Sequence, residues 1–246
     1  MSGAIARGPG WALLHAPALV AMPDDGFFDD ARWQDRLTGQ AGRGRGRVRF
    51  VAADTGHWAL RHYCRGGLVG RLVADRYPWL GEERTRAFRE WRMLARLHAA
   101  GLPVPRPVAA LWRRRGLCYT ADLATVRLPG AVPLSARLAA GEPVDWPGIG
   151  RVLQDFHAAG AFHADLNAHN ILLDGAGKAW LLDFDRGRFR APGAWQARNL
   201  ARLERSLRKI SAEPGAPAFS AAGWEALQSA YGAARDLRLR FRARRP

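Results

Sequence analysis

His163-Ala164-Asp165-Leu166-Asn167-Ala168-His169-Asn170 runs straight into Ile171-Leu172-Leu173, a turn at Asp174-Gly175-Ala176-Gly177, the arm Ala179-Trp180-Leu181-Leu182 and then Asp183-Phe184-Asp185. Two apolar arms about a glycine-containing turn read as a β-hairpin. A polar loop enters the first arm, and an acid ends the second. Folding the hairpin therefore brings Asp165, Asn170 and Asp183 together although they are distant in sequence. A plainer reading has Asp165 capping a turn and Asn170 closing it through an Asx bond. That reading leaves Asp183 at the end of the next arm without a reason.

Outward from the hairpin, a helix is expected after Asp145, with Pro147 near its first position. Ile149, Val152, Leu153 and Phe156 fall at helical spacing, and Gly160 closes it. Downstream, Leu200, Leu203, Leu207 and Ile210 mark one helix, and Trp224 to about Leu237 another. Upstream the pattern changes. Val48 to Ala52 and Trp58 to Tyr63 read as strands about the turn Asp54-Thr55-Gly56. Glu82 to Ala100 is helical, with Phe88, Trp91, Ala95 and His98 on one stripe and Leu94 and Leu97 beside it, stopped by Gly101 and Pro103. Two short strands follow, around Val108 to Leu111 and Leu117 to Ala121. This order predicts an α+β fold of two lobes. Residues 1–122 form a small antiparallel-sheet lobe with one helix, and residues 123–246 a larger, mainly helical one. The first 35 residues offer no pattern that places them.

Composition sets the class. Hydrophobic content of 48% and aromatic content of 10% belong to a globular chain. No apolar run approaches the roughly 20 residues of a membrane span. Trp11 to Met22 is apolar but short and carries His15 and Pro17, so it does not read as a signal peptide. Cys64 and Cys118 give no disulfide framework, which fits a reducing compartment. Lys+Arg is 38 against Asp+Glu 22, a net charge of +16, and Lys178 and Lys209 are the only lysines. Such a surface attracts polyanions, and arginine grips phosphate and carboxylate with two parallel hydrogen bonds.

Phosphoryl transfer asks for a carboxylate at the attacking hydroxyl and oxygen ligands for a metal bridging the phosphates. Asp165 suits the first task. Asn170 and Asp183 suit the second, because a hard cation such as Mg2+ prefers oxygen. The spacing resembles the kinase pattern H-x-D-x-x-x-x-N followed by D-F-x. It implies a protein-kinase-like fold using ATP and Mg2+. Departures narrow the reading. Ala164 stands where regulated protein kinases carry arginine, and Asp185 where glycine follows D-F. Residues 184–246 are too few for a full activation segment and peptide-docking helices. A non-protein acceptor and no activation-loop switch are therefore expected. Arg61 takes the place of the strand lysine that contacts nucleotide phosphates, and Glu90 that of its helix partner, joined by a charge-assisted pair. The plainer alternative is a surface salt bridge. Gly42, Gly44 and Gly46 fit a loop over the phosphates, or a linker. His163 is expected to buttress the loop, and His169 to pack behind it.

Further segments are similar to bacterial 3-deoxy-D-manno-octulosonic acid (Kdo) kinases. They are Arg61-His62-Tyr63-Cys64-Arg65-Gly66-Gly67-Leu68, Arg76-Tyr77, Thr85-Arg86-x-Phe88-x-Glu90, Gly101-Leu102-Pro103-Val104-Pro105 and Leu182-Asp183-Phe184-Asp185-Arg186-Gly187, together with residues 163–173. The resemblance spans roughly residues 35 to 210. It implies ATP-dependent phosphorylation of the 4-hydroxyl of a Kdo residue on a Kdo-lipid A precursor, in lipopolysaccharide inner-core synthesis. It also implies Asp165 as proton acceptor and a peripheral location at the cytoplasmic face of the inner membrane, with no specific nucleic-acid partner. Arg65, Arg71, Arg76 and Arg86 are candidates for the acceptor's carboxylate or phosphate groups. The basic tail 237–245 is a candidate for the anionic membrane surface, or simply a solvated tail. Two other readings stand beside this one: a heptose- or aminoglycoside-type kinase, and a basic, non-catalytic pseudokinase.

Overall fold

The computed structural model describes residues 3–41, 47–64, 75–212 and 219–243, with side chains as far as 235. The chain divides into two compact units, Met1–Ala99 with Pro105–Arg127, and Ala100–Val104 with Leu128–Pro246. The strand Cys118–Val126 runs through the division drawn at 122, and a short segment of the second unit is inserted within the first.

The first unit is built on β1 (Ala4–Gly8), β2 (Trp11–His15), β3 (Leu37–Ala41), β4 (Val48–Ala53), β5 (Gly56–His62), β6 (Tyr77–Pro78), β7 (Pro107–Arg115) and β8 (Cys118–Val126). They form one antiparallel sheet in the order β1-β2-β7-β8-β5-β4-β3, with β6 also paired to β8. Helix α1 (Arg86–Ala99) packs on it through Phe88, Trp91, Leu94 and Leu97. It begins later than expected, because Glu82–Arg84 is a short 3-10 turn. Alternation along β5 decides what each face receives. Trp58 and Leu60 are buried on one face, and Arg61 turns to the other, where α1 supplies Glu90.

The face of Trp58 explains the unplaced N-terminus. The β1–β2 hairpin widens the sheet beside β7. Residues 16–36 then lay Phe27, Phe28 and Trp33 over Trp58, with ring centroids of Phe27 and Trp33 at 5.9 and 5.6 Å from it. The Trp33 indole N–H donates to the Phe27 carbonyl at 2.6 Å, so the buried polar end is satisfied.

The second unit contains β9 (Val132–Pro133), α2 (Leu134–Ala139), α3 (Trp146–Ala158), β10 (Ala161–Phe162), β11 (Ile171–Leu173), β12 (Ala179–Leu181), β13 (Arg188–Phe189), α4 (Trp195–Ser211) and α5 (Ala221–Ala243). Asp145 caps α3 by accepting the Gly148 N–H at 2.8 Å, and Pro147 lies in the first turn. Gly160 ends α3 in the left-handed region (φ 74), where a Cβ would stand 2.7 Å from the Arg190 carbonyl oxygen. Only glycine permits that approach. α3 packs on α5, where Tyr231 meets the His157 ring at 2.9 Å, and Trp195 of α4 packs edge-on to the same imidazole.

Two stability predictions follow from this packing. Phe27→Ala deletes a ring from the aromatic cover, and the expected loss is about 3–5 kcal/mol in urea unfolding. Burial pushes the pKa of His157 down from 6.5 to about 4. Its neutral form therefore contributes stability that is complete above the unfolded pKa and is lost as pH falls from about 6.5 towards 4. The contribution is about 3 kcal/mol, with the unfolded state binding the extra proton. His157→Leu should flatten that part of the acid limb, read as a smaller drop in the urea midpoint between pH 7 and pH 4.5.

Candidate active site

Four short strands bracket two loops in the second unit. β11 pairs antiparallel with β12, Ile171 opposite Leu181, and β10 pairs antiparallel with β13, Ala161 opposite Phe189. The loop 163–170 joins β10 to β11, and the loop 182–187 joins β12 to β13. With both ends of each loop held by the same two ladders, the loops lie side by side. The hairpin turn is fixed by Asp174, whose carboxylate accepts backbone N–H groups of Ala176 and Lys178 and the Trp180 indole N–H, at 2.9–3.0 Å. These bonds, the indole's first, hold the Asp174 carboxyl below its usual range.

His163 ties the loops together. Its Nδ1 accepts the Asp165 N–H at 3.1 Å, so Nε2 carries the proton and donates to the Leu182 carbonyl at 2.7 Å. Burial lowers the pKa of this imidazole, which keeps it in that neutral tautomer. The Leu182 N–H donates to the Asn170 carbonyl at 2.9 Å, which sets Asn170 against the residue before Asp183. The Asn170 side chain donates its Nδ2–H to the Asp165 carbonyl at 2.9 Å, which turns the Oδ1 end the other way. Asn167 closes the loop from within, donating to the Asp165 carbonyl and accepting the N–H groups of His169 and Asn170. Asp183 holds a left-handed backbone (φ 59), and Phe184 behind it is buried between His163 and Phe156. His169 bonds through Nδ1 to the Ser135 hydroxyl at 2.8 Å.

One face of α4 lies along the first loop. Asn199 donates to the His163 carbonyl at 2.9 Å and accepts its N–H. Arg202 grips Oδ1 of Asp165 through Nε at 3.0 Å and through Nη2, and the Ser206 hydroxyl accepts the Ala168 N–H at 3.2 Å. Positions 199, 202 and 206 share a helix face and match loop positions 163, 165 and 168. Arg202 and Asp165 stay 47% and 44% exposed, so this pair is open to a ligand. Sequence reading followed the apolar stripe of this helix and missed Arg202. The polar residues interleaved with that stripe were the available signal.

In the first unit, Arg61 donates to Glu90 Oε2 at 2.6 Å, and the Tyr63 hydroxyl donates to the same oxygen at 2.5 Å. The Glu90 side chain is 2% exposed, so the pair is a buried one rather than a surface bridge. The Arg61 guanidinium also lies 4.6 Å from the Tyr63 ring centroid. Arg86 stacks over Tyr63 and Tyr77, which gives it a packing role beside this pair. Arg76 is exposed. Gly44 and Gly46 fall in the connection between β3 and β4 and lie outside the described residues, as do Arg65 and Arg71. Helix α5 carries the chain into the basic tail as far as Ala243, and the tail's side chains lie outside the described set.

The oxygen donors of Asn170 and Asp183, on adjacent strand ends, are the chemistry a hard divalent cation needs. Comparison with known proteins gives the family. The model of the Lipopolysaccharide kinase (Kdo/WaaP) family matches residues 30–231. A protein named 3-deoxy-D-manno-octulosonic acid kinase from Stenotrophomonas maltophilia (strain K279a) is 45% identical over 209 residues, covering 84% of each chain. One of the same name from Xanthomonas campestris pv. campestris (strain B100) is 47% identical over 206 residues, 83% of this chain and 82% of its own. Another, from Xylella fastidiosa (strain M12), is 45% identical over 208 residues, 84% and 83%. With a match that takes in both units and the two bracketed loops, the chain belongs to the lipopolysaccharide kinase (Kdo/WaaP) family.

Proposed function

We propose that the chain transfers the γ-phosphoryl group of ATP to the 4-hydroxyl of a Kdo residue on a Kdo-lipid A precursor. The observation that carries this reading is the neutral His163 bridge, which sets a carboxylate, a carboxamide and a second carboxylate along adjacent loops. Asp165 takes the proton of the attacking hydroxyl. Arg202 occupies its Oδ1, so Oδ2 is the oxygen that receives the proton. Asn170 and Asp183 would hold Mg2+, which supplies charge neutralisation on the phosphate oxygens. In the first unit, Glu90 and Tyr63 fix Arg61 for nucleotide phosphates. Arginine's planar fork suits a phosphate in this place.

The acceptor reading rests on the relatives' printed name and on charge. A Kdo-lipid A precursor carries carboxylate and phosphate groups, and the chain carries +16. No helix among the described residues is long and apolar enough to cross a membrane. We place the protein peripherally, at the anionic cytoplasmic face of the inner membrane.

Incubation with labelled ATP, Mg2+ and Kdo-lipid A precursor should give one added phosphate. Asp165→Asn should lower kcat by about 100-fold or more. No transfer by the native chain, or undiminished transfer by the variant, overturns the mechanism. Arg202→Gln removes a charge-assisted hydrogen bond from the base and should cost about 10- to 100-fold in kcat/KM for the acceptor. Arg202→Lys should recover part of it, and the KM for ATP should stay near the native value in both.

A further inference from the structure

The β7–β8 hairpin ends in a two-residue turn. Arg115 pairs with Cys118 as the last rung, and Gly116 takes a left-handed backbone (φ 60). Such a turn needs glycine at its first position and makes no demand for an apolar residue at its second, where polar residues are at home. Leu117 occupies that second place and is 84% exposed. The neighbouring strand β6 runs on beside it, with the Trp79 N–H donating to the Leu117 carbonyl at 2.8 Å. Leu80, the next residue along the chain, is 65% exposed. Of the four large apolar side chains that stand exposed among the described residues, two therefore belong to this tip.

The tip is amphipathic. Trp79 is half-buried, with its ring on Trp112 at 4.5 Å. The Arg114 guanidinium lies 5.1 Å from the Trp79 ring centroid, with its Nε donating to the Gly116 carbonyl at 2.8 Å. Arg114 and Arg115 are exposed. The acids close by in sequence are engaged elsewhere, Glu82 with Arg7 and Glu83 with Arg92, and Arg113 holds Asp29. Leucines at the apex, an indole behind them and arginines around them make a profile that an acidic protein groove does not require. A bilayer interface does: apolar tips enter the acyl boundary, tryptophan sits at headgroup level, and guanidinium groups meet lipid phosphates.

We propose that this tip, Trp79–Leu80 with Arg114–Leu117, is the surface by which the protein docks on an anionic phospholipid bilayer. The inference rests on the reading of the acceptor as a membrane glycolipid and adds the part of the fold that reaches it.

The test uses the full chain and sedimentation with vesicles of phosphatidylethanolamine and phosphatidylglycerol, against vesicles of phosphatidylcholine. Wild type should partition to the anionic vesicles. The paired variants Leu80→Ser with Leu117→Ser, and Arg114→Gln with Arg115→Gln, should each lower that partition about tenfold or more. Phosphorylation of a water-soluble, acyl-free Kdo acceptor should stay at the native rate in both, which separates this proposal from the kinase assignment and reports that the variants are folded. Phosphorylation of the acceptor embedded in vesicles should fall with the partition. Variants that bind vesicles as wild type does overturn the tip as the docking surface. Loss with the arginine pair alone overturns insertion by the leucines, and a wild type that ignores vesicles overturns membrane docking altogether.

Discussion

A single proton on His163 organises the two bracketed loops of the second unit. The imidazole must accept at Nδ1 and donate at Nε2 to span from the Asp165 amide to the Leu182 carbonyl. A protonated ring would set an N–H against an N–H and break the bridge. Burial forbids that form by making the charged ring costly. Phe184 seals one side of the ring and the Asn199 carboxamide holds its backbone, so exclusion of water and choice of tautomer are the same event. The bonds of Asn170 and Asn167 refine a geometry that this bridge has already imposed.

Arginine–carboxylate pairs then serve two different ends. Arg61 and Glu90 meet where the acid is out of water, so removing Arg61 leaves a buried carboxylate, at a cost of about 3–5 kcal/mol. That pair is rigid by necessity. Arg202 and Asp165 are half exposed, and solvent screening weakens their mutual attraction. A pair of that kind can be remade around an anionic ligand. The first arrangement keeps one geometry, and the second can exchange its partner.

How much of this the amino-acid sequence disclosed differs by residue. The hairpin 171–181 and the acid ending it were legible, because two short apolar arms around Asp174 and Gly177 admit few other folds. The α1 stripe of Phe88 and Trp91 was legible for the same reason: period is a local property. The Arg61–Glu90 partnership was expected from a family pattern. The structure adds Tyr63, which no spacing rule could bring to Glu90. The ladder between β10 and β13 was invisible, since two-residue strands carry no period. Arg202 showed only as one of the polar residues interleaved with the α4 stripe; its contact with Asp165 depends on how α4 is rotated, which the burial of Asn199 and Leu203 fixes once the loop is in place. Residues 16–36 escaped notice because Phe27 and Phe28 sit in one 3-10 turn (Asp25–Phe28) and Trp33 in one α-helical turn (Asp30–Trp33), each too short for burial to show a repeat.

The small insertion Ala100–Val104 has its own consequence. It sits between α1 and β7, both parts of the first unit, yet it belongs to the second, where the Pro103 carbonyl accepts the Leu181 N–H at 3.0 Å. β12 is thus completed by chain that emerges from the ribosome long before it. A gene cut near codon 127 would give one half with a dangling linker and another with an open strand edge. The first unit has all its chain by Arg127, whereas the second, expressed alone from Leu128, would lack the segment that bonds Leu181.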